Sequence, residues 1–254
     1  MADELLRERR GHVEILTINR PEARNAINRA TAVALGDALD DCERDNDVWV
    51  VVLTAAGDKA FSAGMDLKAF AAGEFPITDK GFGGITQRDF PKPLIAAANG
   101  SALAGGFEIM ISCDMVVAAD HAKFGIPEAS RGLVAGGGGL IRLPKLIPLA
   151  VAYEMALTAD PIDAQRAYEL GLVNRVVPGD QVLDVALALA ERIAKNAPLA
   201  VRTSKDVMKR SRELTEAEAW TASDDAFGMI GRSSDALEGA VAFAEKREPK
   251  WQSK

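Results

Sequence analysis

The chain has 254 residues, 48% of them apolar and 26% charged, with a net charge of −7 and a pI near 5.1; this leaves room for a sizeable core and is the wrong balance for a general nucleic-acid or anionic-membrane binder. Two cysteines (Cys42, Cys113) and two histidines (His12, His121) lie too far apart to suggest a disulfide framework, a zinc site or a Ser-His-Asp triad. No run approaches the ~20 apolar residues of a membrane span and the charged start lacks a signal core, so the expectations are a reducing, cytoplasmic setting, no metal and no membrane partner.

Residues 13–19 alternate well enough for a strand, and Arg20-Pro21 ends it at a polar corner that includes Arg24. Residues 28–42 repeat at helical spacing. Residues 48–54 form a continuous apolar run, as expected for a strand covered on both faces. A strand end at residues 59–62 then leads through Ser62, Ala63 and Gly64 to a candidate helix start, a place where a backbone N–H, that of Met65, could be held free, although Ser-Ala-Gly before a helix is also commonplace. From 70 to 90 the periodicity dissolves: Phe70, Phe75, Phe82 and Phe90 are punctuated by glycines. Such a segment is either a mobile surface loop or the wall of an apolar pocket.

Residues 94–98 read as a buried strand broken by Asn99-Gly100. Small residues run on through Gly105-Gly106, and a helical pattern comes next that contains Ile109 and Cys113 on one face. Free N–H groups and the helix's positive end would meet there, with no side chain to block an incoming oxygen. Gly-Gly before a helix is also a common tight turn, and a lone Glu such as Glu108 is commonly solvated. The apolar neighbours Phe107, Ile109, Met110 and Ile111 argue against a solvated Glu108, because burying a carboxylate demands partners or a task. Residues 115–119 form a strand, and 123–128 an extended piece ending in Glu128. The glycine run 136–139 lacks the Lys-Ser/Thr ending of a phosphate-binding loop and reads as a flexible turn before a helix over 140–146. Four helices, at 182–196, 199–210, 215–230 and 233–245, close the chain. The class is therefore α/β, with an α/β core over 1–195 and a helical region over 196–254 that must pack on the core or on another subunit.

Taken together, NRPEARNA (19–26), FSAGMDL (61–67), ANGSALAGGFE (98–108) and FGIPE (124–128) resemble the enoyl-CoA hydratase/isomerase (crotonase) family over nearly the whole chain. GGLIRLPK (138–145) and AFAEKREPKW (242–251) are similar to its carnitinyl-CoA dehydratase branch. The resemblance implies a crotonase-like spiral of ββα units with a C-terminal helical trimerisation region, as a homotrimer or a hexamer of paired trimers. It implies an acyl-CoA thioester as substrate, coenzyme A entering only as part of it, and no other cofactor. The thioester oxygen would sit between the N–H groups of Met65 and Gly105. Arg24, Ala63, Met65, Asp66, Leu67 and Lys68 would lie along the CoA nucleotide, with Phe243 and Lys246 of a neighbouring subunit's tail. Hydratases of the family keep two glutamates, and both are present as Glu108 and Glu128.

The implied activity is reversible syn hydration of a 2,3-enoyl-CoA, in fatty-acid or related acyl-CoA degradation. A carnitinyl-CoA-type dehydratase and a Δ3-Δ2 enoyl-CoA isomerase using one glutamate stand as alternatives. An RNA-binding or scaffold relative is the non-enzyme alternative, and the acidic charge counts against it. Two departures from the family pattern are visible. Ala135 replaces a proline often found in that loop, and Ala104 rather than glycine precedes Gly105, a change expected to be harmless.

Overall fold

The computed structural model describes residues 4–253. In chain order the strands and helices are β1 (Leu5–Arg10), β2 (Val13–Ile18), α1 (Arg29–Arg44), β3 (Val50–Ala55), β4 (Ala60–Ser62), α2 (Leu67–Ala71), β5 (Ile77–Thr78) and β6 (Gly81–Phe82). Then come β7 (Leu94–Ala98), β8 (Ser101–Leu103), α3 (Gly105–Met110), β9 (Met115–Ala119), β10 (Lys123–Gly125), α4 (Gly139–Leu146), α5 (Leu149–Thr158), β11 (Ile162–Asp163), α6 (Ala164–Glu169) and β12 (Arg175–Val177). Helices α7 (Val182–Ala194), α8 (Pro198–Ser211), α9 (Glu216–Gly231) and α10 (Ser234–Glu245) complete the chain.

A repeat organises the middle of the chain. The pairs β3/β4, β7/β8 and β9/β10 each give their first strand to a six-stranded sheet of order β1-β2-β3-β7-β9-β12 and their second to a four-stranded sheet of order β11-β10-β8-β4. A helix or helical turn comes after each second strand. This is the spiral of ββα units. The six-stranded sheet is parallel except where β1 pairs with β2. Its inner strands β3 and β7 are buried at every residue, which is why they read as unbroken apolar runs rather than alternating ones. Helix α7 lies on β2, β3, β7 and β9.

Local chemistry sets the helix ends. Asn28 caps α1 by accepting from the Thr31 N–H at 2.8 Å. At the other end, buried Lys92 donates its Nζ to the carbonyls of Cys42 (2.5 Å) and Asp45 (2.6 Å), serving the last turn's unmet acceptors. Thr215 and Glu218 form a reciprocal capping box on α9. Lys205 of α8 ties the helical tail to the core through the Lys92 carbonyl (2.8 Å) and Asp114 (2.6 Å). Among the described residues no helix is long and apolar enough to cross a membrane.

Residues 70–90, which the sequence reads as either loop or pocket wall, divide between the two. Phe75 is 52% exposed and stacks edge-on against Phe70 at 5.3 Å, whereas Phe90 is in the core. Phe82, on a two-stranded hairpin, faces the candidate site.

Candidate active site

β4, β8 and β10 are neighbours and mutually parallel, so their C-terminal ends share one edge of the four-stranded sheet. Ligands of open parallel sheets characteristically bind beyond that edge. There β4 runs into Ala63 to Met65, β8 into Ala104 and Gly105, and β10 into Ile126 to Glu128. Three distant stretches of sequence become adjacent because the repeat delivers each to the same edge.

The first two junctions touch. Gly64 has φ +92, and a Cβ there would lie 2.9 Å from the Gly105 nitrogen and 2.9 Å from the Ala104 Cβ, so only glycine fits. A parallel bridge between Ile27 and Met65 uses the Gly64 carbonyl and the Asp66 N–H. Met65's own N–H therefore points away from Ile27. Gly106 brings α3 against β4 so closely that a Cβ would collide with the Ser62 carbonyl oxygen. Neither the Met65 nor the Gly105 N–H donates to a protein acceptor among the described residues.

Ala104, expected to be a harmless departure, is not. Its φ of 53 with ψ of −132 is a conformation glycine takes freely and alanine only under strain. The packing of Gly64 and Gly105 around it holds that geometry and aims the Gly105 N–H.

Glu108, in the first turn of α3, is 2% exposed. Its Oε1 accepts the Gly139 N–H at 2.7 Å, and the Gly137 N–H also favours its ionised form. Burial nevertheless pushes its carboxyl above the ordinary glutamate range, against those amides and the charge of Arg142. The glycine run is thus not merely a flexible turn. It cradles a carboxylate at short range: a Cβ on Gly137 would sit 2.6 Å from Glu108 Oε2, and one on Gly139 would sit 3.1 Å from Oε1.

The sequence expectation for Glu128 is the end of an extended piece. It lies instead in a 3-10 turn, Pro127–Arg131, because Pro127 sits at the turn's start and Gly132, at φ +69, closes it. Its Oε2 is buried with no hydrogen-bond partner among the described residues. Burial raises this carboxyl too, its own backbone amide opposes that, and the Glu108 charge adds to the rise. Neither glutamate forms an ion pair among the described residues. The Phe82 ring lies over Gly105, 2.5 Å from where a Cβ would be, while its own Cβ approaches Gly137. Sequence reasoning missed the amide cradle, the seat of Phe82 and the half-buried Arg142 beside Glu108. The four consecutive glycines were the visible signal for the first of these.

The remaining candidates fall into two groups. The Arg24 carbonyl accepts the Ala63 N–H at 3.0 Å, which places the Arg24 corner directly against the segment Ala63 to Lys68. Arg24, Ala63, Leu67 and Lys68 are exposed. The Asp66 carboxylate is occupied: it caps α2 through the Lys68 and Ala69 N–H groups and pairs with Arg20 at 2.9 Å. Phe243, 88% exposed, and Lys246 stand at the end of α10 and have no hydrogen bond or ion pair to the 63–68 segment among the described residues.

Comparison with known proteins agrees with this architecture. The family model described as enoyl-CoA hydratase/isomerase matches residues 8–254. A carnitinyl-CoA dehydratase of Salmonella arizonae is 42% identical over 259 residues, covering 99% of both chains. The solved enoyl-CoA hydratase of Mycobacterium tuberculosis superposes with a TM-score of 0.96 at 48% identity, covering 99% of this chain and 100% of that one. The carnitinyl-CoA hydratase of Mycobacterium avium superposes at 0.80 with 44% identity over 100% of both chains.

Proposed function

The chain belongs to the enoyl-CoA hydratase/isomerase family, and from that premise we propose that it adds water reversibly across the 2,3 double bond of an enoyl-CoA thioester. The observation that carries this reading is a pair of carboxyls with no cation bonded to either: buried Glu108, held by the Gly139 amide, and half-buried Glu128, with a buried oxygen left unpartnered.

The chemistry is dictated by where charge develops. Attack of water at Cβ sends electron density to the thioester oxygen, and the N–H groups of Met65 and Gly105 are undonated donors that can receive it. Loss of one such donor costs about 3 kcal/mol in comparable sites. Glu108, ionised and fixed by its amides, accepts a proton from the water as the oxygen bonds Cβ. Glu128, whose carboxyl is pushed upward first by burial and further by its neighbour's charge, is the group assigned to deliver a proton to Cα on the same face. Each proton transfer contributes roughly 10²–10⁴-fold. The two carboxyls titrate as a coupled pair, and the reverse reaction is dehydration by the same groups.

Arg24 and residues 63–68 line the approach proposed for the CoA nucleotide, with Asp66 acting through backbone because its carboxylate is occupied. Coenzyme A enters as part of the substrate. Residues 196–254 form the proposed oligomerisation region: Trp220, Phe227, Leu237 and Phe243 are 64%, 81%, 69% and 88% exposed in the single chain, and a homotrimer, alone or paired, would cover such side chains. Phe243 and Lys246 would then reach a neighbour's nucleotide site. The setting proposed is cytoplasmic.

The second reading is a dehydratase acting on a carnitinyl-CoA-like thioester, favoured by the identity to relatives so named. Incubation of an enoyl-CoA in ¹⁸O-labelled water tests the proposal. Label at C3 of a 3-hydroxyacyl product supports hydration; movement of the double bond without label contradicts it and leaves an isomerase.

A further inference from the structure

We propose that Arg142 is a positioning residue for Glu108, a guanidinium clamp that joins the glycine loop cradling that carboxylate to the segment walling the site. The inference rests on the hydratase reading and adds to it a residue that touches neither substrate nor water.

Arg142 lies on α4, one turn past Gly139, and is half-buried. Its Nη2 donates to the Thr86 carbonyl, and its Nη1 makes a longer contact, 3.5 Å, to the Gly137 carbonyl. No carboxylate pairs with it among the described residues, which is an unusual state for a half-buried cation. The loop is shaped around it. Gly138 has φ +105, and a Cβ there would collide with Arg142 Nη1, so both the backbone angle and the space demand glycine.

The two carbonyls belong to the two segments that build the site. Gly137 also presents the N–H that favours ionised Glu108. Thr86 closes the turn that begins at Phe82, donating its N–H to the Phe82 carbonyl at 3.2 Å, and the Phe82 ring covers Gly105. A planar fork spans two acceptors in fixed directions; an ammonium cannot reproduce that geometry. The guanidinium charge also favours ionised Glu108. The other groups acting here are Glu128 in the 3-10 turn, on which the Glu108 charge acts, Arg131, which also acts on Glu128, and Cys113, which acts on Arg142.

The test compares Arg142→Met and Arg142→Lys with wild type in hydration of one enoyl-CoA across pH, with Glu108→Gln assayed alongside and thermal melts run on all. For Arg142→Met the expectation is a kcat lower by roughly 10- to 100-fold and a KM within about threefold. Its acid limb is expected to move to higher pH, because Glu108 must lose its proton without a cation's help. Arg142→Lys should return the acid limb toward wild type while kcat stays below it. A purely structural role would lower the melting temperature without moving the limb. Wild-type kcat and acid limb in Arg142→Met overturn the inference; should that variant not fold, wild-type kcat in Arg142→Lys overturns it. If Glu108→Gln keeps its activity, the hydratase reading itself fails. If that variant is inactive while the Arg142 variants match wild type, the clamp alone is wrong.

Discussion

Two regions of this protein bury glutamates, and they do so in opposite ways. Glu14 on β2 is 3% exposed, and both its oxygens are taken: Oε1 by Arg7 at 2.9 Å and Oε2 by Arg9 at 2.5 Å. The same arginines reach on to Asp41 and Asp45 at the end of α1, so the carboxylate closes a network that fastens the edge strand to a helix. At the candidate site Glu108 has amides but no bonded cation, and Glu128 keeps an oxygen with no partner. At Glu108 and Glu128 no bonded cation offsets burial, and burial raises both carboxyls. A buried carboxylate fully engaged by protein is architecture. One held but not neutralised is available to a substrate.

Neutralising each glutamate in turn puts this contrast under the greatest load. Glu108→Gln and Glu128→Gln are each expected to lower kcat by roughly 10²–10⁴-fold with little change in KM, read from loss of the conjugated enoyl thioester chromophore. Glu14→Gln is expected to leave kcat unchanged and to lower stability by about 1–3 kcal/mol, read from urea unfolding. If Glu14→Gln impaired turnover as much, burial alone rather than lack of pairing would mark the active residues.

Gly64→Ala should come next in size. A Cβ would press on the Gly105 nitrogen in a backbone region alanine resists, and a displaced donor is expected to cost kcat roughly 10-fold or more.

The contrast between the two regions also has a sign in pH. Because the folded-state pKa of Glu128 is raised, first by burial, the stability it withholds is absent below the unfolded value and grows as pH rises through the folded one. Glu128→Gln should therefore melt above wild type at pH 8, with the difference closing toward pH 4, even as activity is lost.

The smallest effect is expected at Ala104. Relieving its positive φ with glycine should stabilise the fold by roughly 0.5–2 kcal/mol, measured by urea unfolding. A neutral or destabilising result would mean that alanine bears little strain at this backbone angle.

Legibility in the sequence tracks element length. Helices such as α1, α7 and α9 run for three or more turns, and their spacing is plain, as are the unbroken runs of β3 and β7. β4, β8 and β10, which bring the site together, are three residues each, too short to show a period. Their adjacency is a property of the spiral, and only the resemblance to a family suggested it. Glu128 is legible as a candidate by motif and not by its neighbours, since a glutamate after Ile126-Pro127 carries no local sign of a buried oxygen. Ala104 misleads because strain depends on backbone angle, which composition does not report. The glycines at 137 to 139 read as flexibility, whereas their use here is close approach to a carboxylate.

The central claim is that Glu108 and Glu128 act as one unit on one water. The most direct measurement is a double-mutant cycle: hydration of one enoyl-CoA by Glu108→Gln, Glu128→Gln and the protein carrying both. Joint action predicts that the double variant is about as slow as the slower single one, because removing either partner already disables the pair. Losses that multiply, or a single variant near wild-type rate, would contradict it.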